Sequence, residues 1–453
     1  MDVCRIAARV FRSGPRSDAP RTFAVRLWDG SVLPPERGGA RGTLVLRTPR
    51  ALEAFFPPAS EQRIAEAFLD GDLELDGDAI TLVEAGARWG GPRPDAALAL
   101  GAGVAWVRRA IAQRPPLEAN VGGPLHTVRR DREAVRHHYD LSDDFYRLFL
   151  DPAMVYSCAY FRRGGEPLEE AQAAKLELVC RKLDLSRGER FLDVGCGWGA
   201  LVEHASARYG ARAAGITVSA NQLAGARRRV ERLGGRAEIL DADYRTLSAD
   251  APFDKIASVG MMEHVGRARL GAYFAAVHRL LRPGGLFLNH AIAAAADDRL
   301  TIPWVSRRGG GFIWRYVFPD ADLVPVGEAI SAAERAGFEV RDLESLREHY
   351  AETLAAWLAR LETRFADAVE IAGERRARLY RLYLAASAVG FRLGRTSVYQ
   401  LLLARRSARG TVEGIPRCRA DWYAAPGEDG AAEPLDVPAA KPPRGRPSPS
   451  KHA

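Results

Sequence analysis

The chain has 453 residues, of which 47% are apolar and 27% are charged, as expected for a soluble enzyme with two or three domains. The net charge of +8 is compatible with nucleic acid or anionic lipid as a partner, but charge alone describes association and not fold. The five cysteines show no CxxC pair and no metal-like spacing, which excludes a disulfide framework and gives no metal site.

The hydropathy pattern gives no membrane-spanning segment. The longest apolar run, residues 96–107, is far shorter than the roughly 20 residues needed to cross a bilayer. Residues 1–21 are Arg-rich like a transit peptide, but they lack the long apolar core of a secretory signal. We therefore expect a cytoplasmic protein.

Residues 1–90 are predicted to form a small mixed α+β domain. The alternation of Phe23, Val25 and Leu27 indicates a half-buried strand, and "TLVLRT" indicates another. The stretch "SEQRIAEAFLDGDLELDGD" indicates a short helix, a strand and glycine turns. Gly and Pro clusters around one helix then predict a connector over residues 91–124.

From residue 125 onward, apolar strand candidates alternate with helix-like segments. The candidates are "RFLDVG", "ARAAGITV", "RAEILDAD", "FDKIASVG" and "GGLFLNHAI". This alternation predicts an α/β domain over residues 125–425, with a parallel sheet covered by helices on both faces. Residues 426–453 are Pro-rich and polar, so we expect a disordered tail.

The stretch "FLDVGCGWGALVEHASARYG" places glycines directly after a strand and before a helix. Glycines there permit a tight turn and let a ligand approach the backbone, although a plain strand-to-helix turn is the alternative. A nicotinamide dinucleotide would require an acid about 20 residues later, where this chain has "GITVSANQ". Asp193 instead suits a ligand with an ammonium group, such as the methionine end of S-adenosylmethionine.

The ordered set "LDVGCGWG", "GITVSANQ", "DADYR" and "MMEHVG" resembles the cyclopropane-fatty-acyl-phospholipid synthase family, relatives of the mycolic acid cyclopropane synthases. The resemblance extends through "HHYDLSDDFYRLFLDPAMVYSCAYF", "FIWRYVFP" and "EHYAETLAAWLARLE", over roughly residues 20–410. It implies the Rossmann-like sheet of a class I methyltransferase that uses S-adenosylmethionine.

The resemblance implies a first set of residues, which binds the methyl donor. Tyr156 and Ser157 would lie over the cofactor, and its methionine part would be held by Asp193, Gly195, Gly197 and Gly199. Thr217 and Gln222 would bind the ribose, and Tyr244 and Arg245 would flank the adenine. The two tyrosines could equally be packed aromatics, and Thr217 and Gln222 could belong to a helix cap.

The resemblance implies a second set, which holds a bicarbonate ion as the base of the reaction. Its members are Cys158, Glu263, His290, the backbone of Ile292, and Tyr350. Taken alone, Cys158 could be a small buried hydrophobe and His290 a satisfied histidine at a strand end. Glu263 follows a predicted parallel strand at its carboxyl end, where open α/β sheets bind ligands. His264 is interpreted as structural.

Two further features of the sequence remain open. Phe312 and Tyr316 could present π faces to an acyl chain, or they could only pack. Ser387 stands where family members often carry a Cys, and it is assigned no role.

A basic and apolar segment ahead of the "YSCAYF" motif is predicted to rest on anionic phospholipid. It combines an arginine cluster with an apolar helix face behind Ser142. The residues are Arg129, Arg130, Arg132 and Arg136, followed by Phe145, Leu148 and Phe149. A solvated charged face over a core helix is the alternative.

The predicted function is transfer of a methyl group from S-adenosylmethionine to the cis double bond of an unsaturated phospholipid acyl chain, with closure to a cyclopropane. A methylene or methyl branch from the same carbocation is the nearest alternative, and a non-catalytic lipid-binding protein with a vestigial cofactor site is another. Methylation of a small molecule is a further one. We expect a protein peripheral to the inner face of the membrane, without nucleic acid as a partner, and a homodimer is left open.

Overall fold

The computed structural model describes residues 3–12, 19–55, 61–91, 127, 129–132, 141–248, 251–295, 311–412 and 415–423. The predicted connector over residues 91–124 lies outside the described residues except for Gly91. The predicted tail over residues 426–453 and Arg136 also lie outside them.

The described N-terminal residues form a mixed unit of helices and a four-stranded sheet. Its helices are α1 (Val3–Arg12), α2 (Glu61–Leu69) and α3 (Ala79–Trp89), with a 3₁₀ turn at Pro49–Phe55, and its strands are β1 (Ala24–Arg26), β2 (Val32–Leu33), β3 (Thr43–Leu46) and β4 (Leu73–Asp76). The strand order is β2-β1-β3-β4, with only β1 and β3 parallel. Phe23, Val25 and Leu27 are all buried, as their alternation predicted.

The second sheet has seven strands in the order β10-β11-β9-β8-β5-β6-β7. The strands are β5 (Arg190–Val194), β6 (Arg212–Thr217), β7 (Ala237–Asp241), β8 (Phe253–Val259), β9 (Leu281–Ala294), β10 (Phe338–Ser345) and β11 (Thr396–Arg405). The five strands predicted from the sequence are parallel, and β11 is antiparallel to both neighbours. The prediction did not include β10 and β11, because it relied on a strict alternation of strands and helices.

Helices cover both faces of this sheet, which confirms the α/β fold class. The helices are α4 (Asp143–Tyr146), α5 (Leu168–Lys182), α6 (Ala200–Tyr209), α7 (Ala220–Val230), α8 (Leu270–Leu280), α9 (Phe312–Tyr316), α10 (Val326–Arg335), α11 (Arg347–Thr363), α12 (Phe365–Ala372), α13 (Glu374–Arg392) and α14 (Ala420–Tyr423). Neighbouring residues of β5 show the layering, because Phe191 packs with α5 to α7 and Leu192 packs with α8 and α10. Successive side chains of a strand point to opposite faces, so both layers bury apolar area.

The N-terminal unit packs against α13 through a half-buried group of ion pairs. Glu74 of β4 accepts hydrogen bonds from Arg378 and Arg381 of α13, each at 2.8 Å. Arg378 also donates to the backbone oxygen of Phe68, and its side chain is 8% exposed. A largely buried cation is costly unless it is paired, so these contacts hold the two units in one arrangement.

The prediction that the segment ahead of the "YSCAYF" motif rests on a membrane is wrong for its apolar residues. Phe145 and Phe149 are fully buried and Leu148 is 6% exposed, because they belong to the core that includes α11 and α13. Arg130 forms a two-pronged ion pair with Asp320, at 2.5 and 2.8 Å. The alternative interpretation, a charged face over core residues, describes this segment better. Within the described part of the chain, no helix is long and apolar enough to span a bilayer.

We expect Glu74→Ala to lower the free energy of unfolding by about 2 kcal/mol, because it removes the shared partner of two guanidinium groups at the interface with α13. Urea denaturation of the full chain measures this loss. Glu339→Ala is the matched control, since Glu339 also pairs with two arginines, Arg341 and Arg406, but at the surface. The control should cost less than about 1 kcal/mol, and equal losses in the two variants would contradict the prediction.

Candidate active site

The site lies where the strand order reverses, between β5 and β8. The chain leaves β5 toward β6 and β7 on one side, whereas β8 leads to β9 and β11 on the other. The connections from the carboxyl ends of β5 and β8 therefore diverge and leave a crevice, which is where open α/β sheets bind ligands. Asp193 lies at the end of β5, and Glu263 follows β8 in the 3₁₀ turn Met262–His264.

The glycine loop after β5 takes conformations that other residues adopt at a cost. Gly195 has φ +83°, and a Cβ there would lie 3.0 Å from Cγ of Met261. Gly199 has φ +82°, and a Cβ there would lie 3.1 Å from Cβ of Ala226. Gly195 therefore keeps space at the crevice, while Gly199 allows α6 to pack closely on α7.

Asp193 is buried with a carboxylate oxygen that has no hydrogen-bond partner. The residue is 3% exposed, and its Oδ1 atom has no hydrogen-bond partner among the described residues. Burial raises the pKa of Asp193 to about 7, and the nearby ammonium of Lys175 opposes this shift. An unpaired buried acceptor is unusual in a folded protein. It fits a ligand that brings its own donor, such as an ammonium group.

At the end of β6, Thr217 orients Gln222 toward the crevice. The hydroxyl of Thr217 donates to Oε1 of Gln222 at 3.2 Å, and both residues are buried. Ser219, rather than Thr217, is the N-cap of α7, since its side chain accepts from the backbone N–H of Gln222. A neighbouring residue therefore caps the helix, and the alternative interpretation of Thr217 as the cap does not apply.

Tyr244 and Arg245 follow β7 at the other end of the crevice. Arg245 holds both carboxylate oxygens of Asp243, at 2.8 and 2.6 Å, and also donates to Asp131 at 2.9 Å. Hydrogen bonds from Arg245 offset burial and hold the pKa of Asp243 below its usual range. The ring of Tyr244 lies edge-on to Tyr273 at 5.4 Å. Arg245 therefore joins the loop after β7 to the segment that contains Asp131.

The "YSC" segment covers the crevice and is fixed by polar contacts with α5. The backbone oxygen of Ser157 accepts from Gln172 at 2.8 Å, and its hydroxyl accepts from the ammonium of Lys175 at 2.9 Å. Two backbone N–H groups, of Ala153 and Val155, donate to Asp151 just upstream. The segment is held from both sides over the glycine loop.

These elements enclose a first cavity that contains nearly the whole set assigned to the methyl donor. The members that line it are Tyr156, Ser157, Asp193, Gly195, Gly197, Thr217, Gln222, Tyr244 and Arg245. Gly199 is not among the lining residues; the structure shows its close packing on Ala226, and its part in cofactor binding stays a prediction.

Glu263 is buried and lines a second cavity. Its Oε1 accepts from the backbone N–H of Ile292 at 2.7 Å, whereas Oε2 has no hydrogen-bond partner among the described residues. Burial raises the pKa of Glu263 to about 7, and the bond from Ile292 opposes the shift. The N–H of Ile292, expected to bind an anion directly, is instead used to position Glu263.

The other members of the second set are also buried. His290 is 2% exposed, and burial together with Lys175 and Lys182 lowers its pKa to about 3, so the ring is neutral. Cys158 is fully buried, which raises the pKa of its thiol, and Sγ donates to the backbone oxygen of Ala159 at 3.2 Å. Tyr350 of α11 packs on Phe391 with ring centroids 4.7 Å apart.

The structure brings the five residues of the second set into one cavity. Cys158, Glu263, His290, Ile292 and Tyr350 line it together with apolar side chains. The apolar lining consists mainly of Ile313, Phe318, Leu323, Leu354, Val398 and Phe391. Tyr156, Ser157, Gly260 and His264 line both cavities, so the two meet at a shared wall.

Several lining residues were missed or undervalued in the sequence. His264 belongs to the shared wall, and Ser387 lines the second cavity although no role was assigned to it. Lys175 lines the first cavity and is 2% exposed. Its position among the apolar residues of α5 is the feature of the sequence that could have indicated a buried lysine. By contrast, Phe312 and Tyr316 are buried and line neither cavity, and the hydroxyl of Tyr316 donates to Glu66 of α2 at 3.2 Å.

The sheet order and the glycine loop at its reversal point define a class I methyltransferase that uses S-adenosylmethionine. A solved structure of the mycolic acid cyclopropane synthase CmaA1 with S-adenosylhomocysteine and CTAB matches 60% of this chain and 98% of its own, with 37% identity and a TM-score of 0.58.

The chain belongs to the mycolic acid cyclopropane synthetase family, whose model matches residues 126–401. It is 38% identical over 405 residues to a "probable fatty acid methyltransferase" of Pseudomonas putida, covering 88% of this chain and 95% of the relative. It is also 38% identical over 281 residues to the cyclopropane-fatty-acyl-phospholipid synthase of Escherichia coli K12, covering 62% and 70%. The family resemblance drawn from the motifs is confirmed.

We expect Glu263→Gln to make the protein more stable at pH 8, by on the order of 2 to 3 kcal/mol in free energy of unfolding. The pKa of Glu263 is raised from 4.5 to about 7 on folding, so its contribution is complete below pH 4.5 and is lost as the pH rises through 7. The glutamine stays neutral and keeps the oxygen that accepts from Ile292. Urea denaturation at pH 4.5 and pH 8 should show the gain at pH 8 alone.

Glu339→Gln is the control for this effect, because hydrogen bonds from Arg406 and Arg341 lower the pKa of Glu339. That variant should gain no stability at pH 8. A Glu263→Gln protein no more stable than wild type at pH 8 would contradict the burial argument.

We expect iodoacetamide at pH 8 to modify the exposed Cys418 of the native protein and to leave Cys158 unmodified. The thiolate is the reactive form, and burial raises the pKa of the Cys158 thiol, so Cys158 stays protonated and shielded. Peptide mapping by mass spectrometry identifies the modified sites. In urea all cysteines should react, whereas native alkylation of Cys158 at the rate of Cys418 would contradict the prediction.

Proposed function

We propose that this protein transfers a methyl group from S-adenosylmethionine to the cis double bond of an unsaturated phospholipid acyl chain and closes a cyclopropane ring. One observation carries the proposal. A crevice with an unpaired carboxylate oxygen, on Asp193, shares a wall with a second, apolar cavity that contains another buried carboxyl, Glu263. A charged methyl donor and an apolar acceptor can thus meet across Tyr156 and His264.

The first cavity fits the methyl donor in its charge pattern. Asp193 suits the ammonium of the methionine part, and the glycine loop suits close approach of that part to the backbone. Thr217 and Gln222 suit the ribose, and Tyr244 suits the adenine. S-adenosylmethionine supplies a methyl group on a sulfonium, and the protein contributes alignment, since an isolated alkene is a poor nucleophile.

The second cavity fits an acyl chain through its apolar lining. Ile313, Phe318, Leu323, Leu354 and Phe391 offer hydrocarbon contacts on several sides. A dry apolar wall also keeps water from a carbocation, which would otherwise be captured as an alcohol. The cavity therefore suits both the substrate and the intermediate of the proposed reaction.

The polar end of the second cavity suits a small anion that serves as the base. Bicarbonate would supply a proton acceptor there that does not itself belong to the chain. The imidazole of His290 and the hydroxyl of Tyr350 can donate hydrogen bonds, and the thiol of Cys158 can do so if it turns from the backbone oxygen of Ala159. A carboxyl with a pKa of about 7, as in Glu263, can also donate in its protonated form, and the buried site favours this form.

Two other outcomes of the same methyl transfer are proposals of lower rank. The relative in Pseudomonas putida carries the wider description "probable fatty acid methyltransferase", which is compatible with a methylene or methyl branch. Such a product would arise if the carbocation lost a proton elsewhere or underwent a hydride shift.

Peripheral contact with the inner face of a cytoplasmic membrane would bring the enzyme to its lipid.

The test is transfer of a labelled methyl group to vesicles of a defined unsaturated phospholipid, with and without added bicarbonate. We expect labelled lipid from the wild type, with a rate that rises with bicarbonate. Glu263→Gln should reduce the rate by at least about 100-fold, the usual contribution of acid–base groups, and retain affinity for S-adenosylhomocysteine. Glu339→Gln, a surface change of the same chemistry, should retain the full rate.

Each outcome separates the alternatives. A ring and an unsaturated branch have equal mass, so NMR or fragmentation of the lipid must identify the product. A protein with no affinity for S-adenosylmethionine would refute the enzyme and favour a lipid-binding protein. Full activity of Glu263→Gln would remove Glu263 from the proposed anion site.

A further inference from the structure

Gln400 of β11 lies directly beside His290 of β9. The two residues are register partners on antiparallel strands, so their side chains lie on the same face of the sheet about 5 Å apart at Cβ. Gln400 is fully buried and His290 is 2% exposed. The side-chain nitrogen of Gln400, Nε2, lies 3.3 Å from Nδ1 of His290. No role was assigned to Gln400 from the sequence.

This contact determines which ring nitrogen carries the proton. An amide nitrogen can only donate, so Nδ1 of a neutral His290 must accept, and the ring proton is then on Nε2. In the reverse orientation the amide oxygen would face Nδ1, and the N–H groups would move to the place of Oε1, an atom without a hydrogen-bond partner among the described residues. Buried donors without partners are rarer in proteins than buried carbonyl oxygens without partners, which favours the first orientation.

The remaining atoms of the pair support the same arrangement. Nε2 of His290 and Oε1 of Gln400 are both buried without a hydrogen-bond partner among the described residues. The two ring nitrogens lie on different edges of the imidazole, and His290 lines the second cavity, so with Nδ1 engaged by Gln400 we assign Nε2 as the nitrogen that serves the cavity. A second protonation is opposed by burial and by the ammonium groups of Lys175 and Lys182 on α5.

We infer that Gln400 is a positioning residue that holds His290 in the Nε2–H tautomer, so that the ring offers a hydrogen-bond donor to the second cavity. Without this contact the neutral ring could carry its proton on Nδ1, and Nε2 would then face an anion with a lone pair. The tautomer depends on described residues alone, whereas its consequence for anion binding rests on the proposed function. The two parts are therefore tested separately.

The tautomer is tested by ¹⁵N NMR of protein labelled with [¹⁵N]histidine, in which a His290→Asn variant identifies the signals of His290 among the nine histidines. We expect Nδ1 of His290 at the shift of an unprotonated nitrogen and Nε2 at that of a protonated one. In Gln400→Leu the Nδ1 signal should move toward the protonated shift as the two tautomers mix. A wild-type Nδ1 that is protonated, or signals unchanged in Gln400→Leu, would overturn the inference.

The consequence is tested through bicarbonate dependence of methyl transfer. Gln400→Leu should raise the KM for bicarbonate by about tenfold, since a hydrogen bond to a charged group is weakened, and leave the affinity for S-adenosylhomocysteine unchanged. Ser397→Ala, on the other face of β11 and in contact with Ser345, is the control and should change neither quantity. An unchanged KM in Gln400→Leu would overturn this part.

One further variant keeps the test decisive. In its carboxylate form Gln400→Glu can only accept at this position, so in spectra recorded at a pH where this carboxyl is ionised Nδ1 should become protonated; a Nδ1 that stays unprotonated there would contradict the assigned contact. If Gln400→Leu does not fold, the wild-type spectrum and Gln400→Glu still decide the tautomer. Absence of any bicarbonate dependence in the wild type would refute the proposed base and leave the tautomer measurement valid.

Discussion

The hydrogen bond from the backbone of Ile292 to the carboxyl of Glu263 is the interaction around which the site is organised. It places a carboxyl group at the carboxyl end of β8, away from water, and a buried carboxylate is costly without compensation. The structure meets this cost in two ways: one oxygen is paired, and the pKa is raised so that the neutral form is accessible. A second backbone contact, from Asp322 to the oxygen of Glu263, holds the turn itself.

The walls of the second cavity come from segments that are distant in the sequence. The segment that carries Cys158 is attached to α11, because the backbone N–H of Ala159 donates to Thr353 and that of Phe161 donates to His349. Helix α13 contributes the opposite wall and is supported from outside by Glu74 of the N-terminal unit. The N-terminal unit therefore influences the geometry of a cavity that none of its own side chains line.

The first cavity contains buried ionisable groups that pair only partly with each other. Lys175 is fully enclosed, donates to Ser157 and lies close enough to Asp193 to lower its pKa against the effect of burial. Burial in turn lowers the pKa of Lys175 to about 8. One oxygen of Asp193 remains without a partner, which is tolerable where a ligand donor can reach it. The crevice thus retains an unpaired acceptor at a cost to the isolated fold.

The sequence by itself determined the α/β fold class, the five parallel strands, the family and the residues that gather at the two cavities, because these depend on local periodicity and on ordered motifs. It could not show what covers an apolar helix face, so Phe145, Leu148 and Phe149 were assigned to lipid although helices of the same chain bury them. It also could not show that Ile292 would be engaged by Glu263 or that Gln400 would lie beside His290. Those contacts depend on the register of β9 with β8 and β11, which the tertiary structure alone decides, since a shift of one residue would turn His290 to the other face.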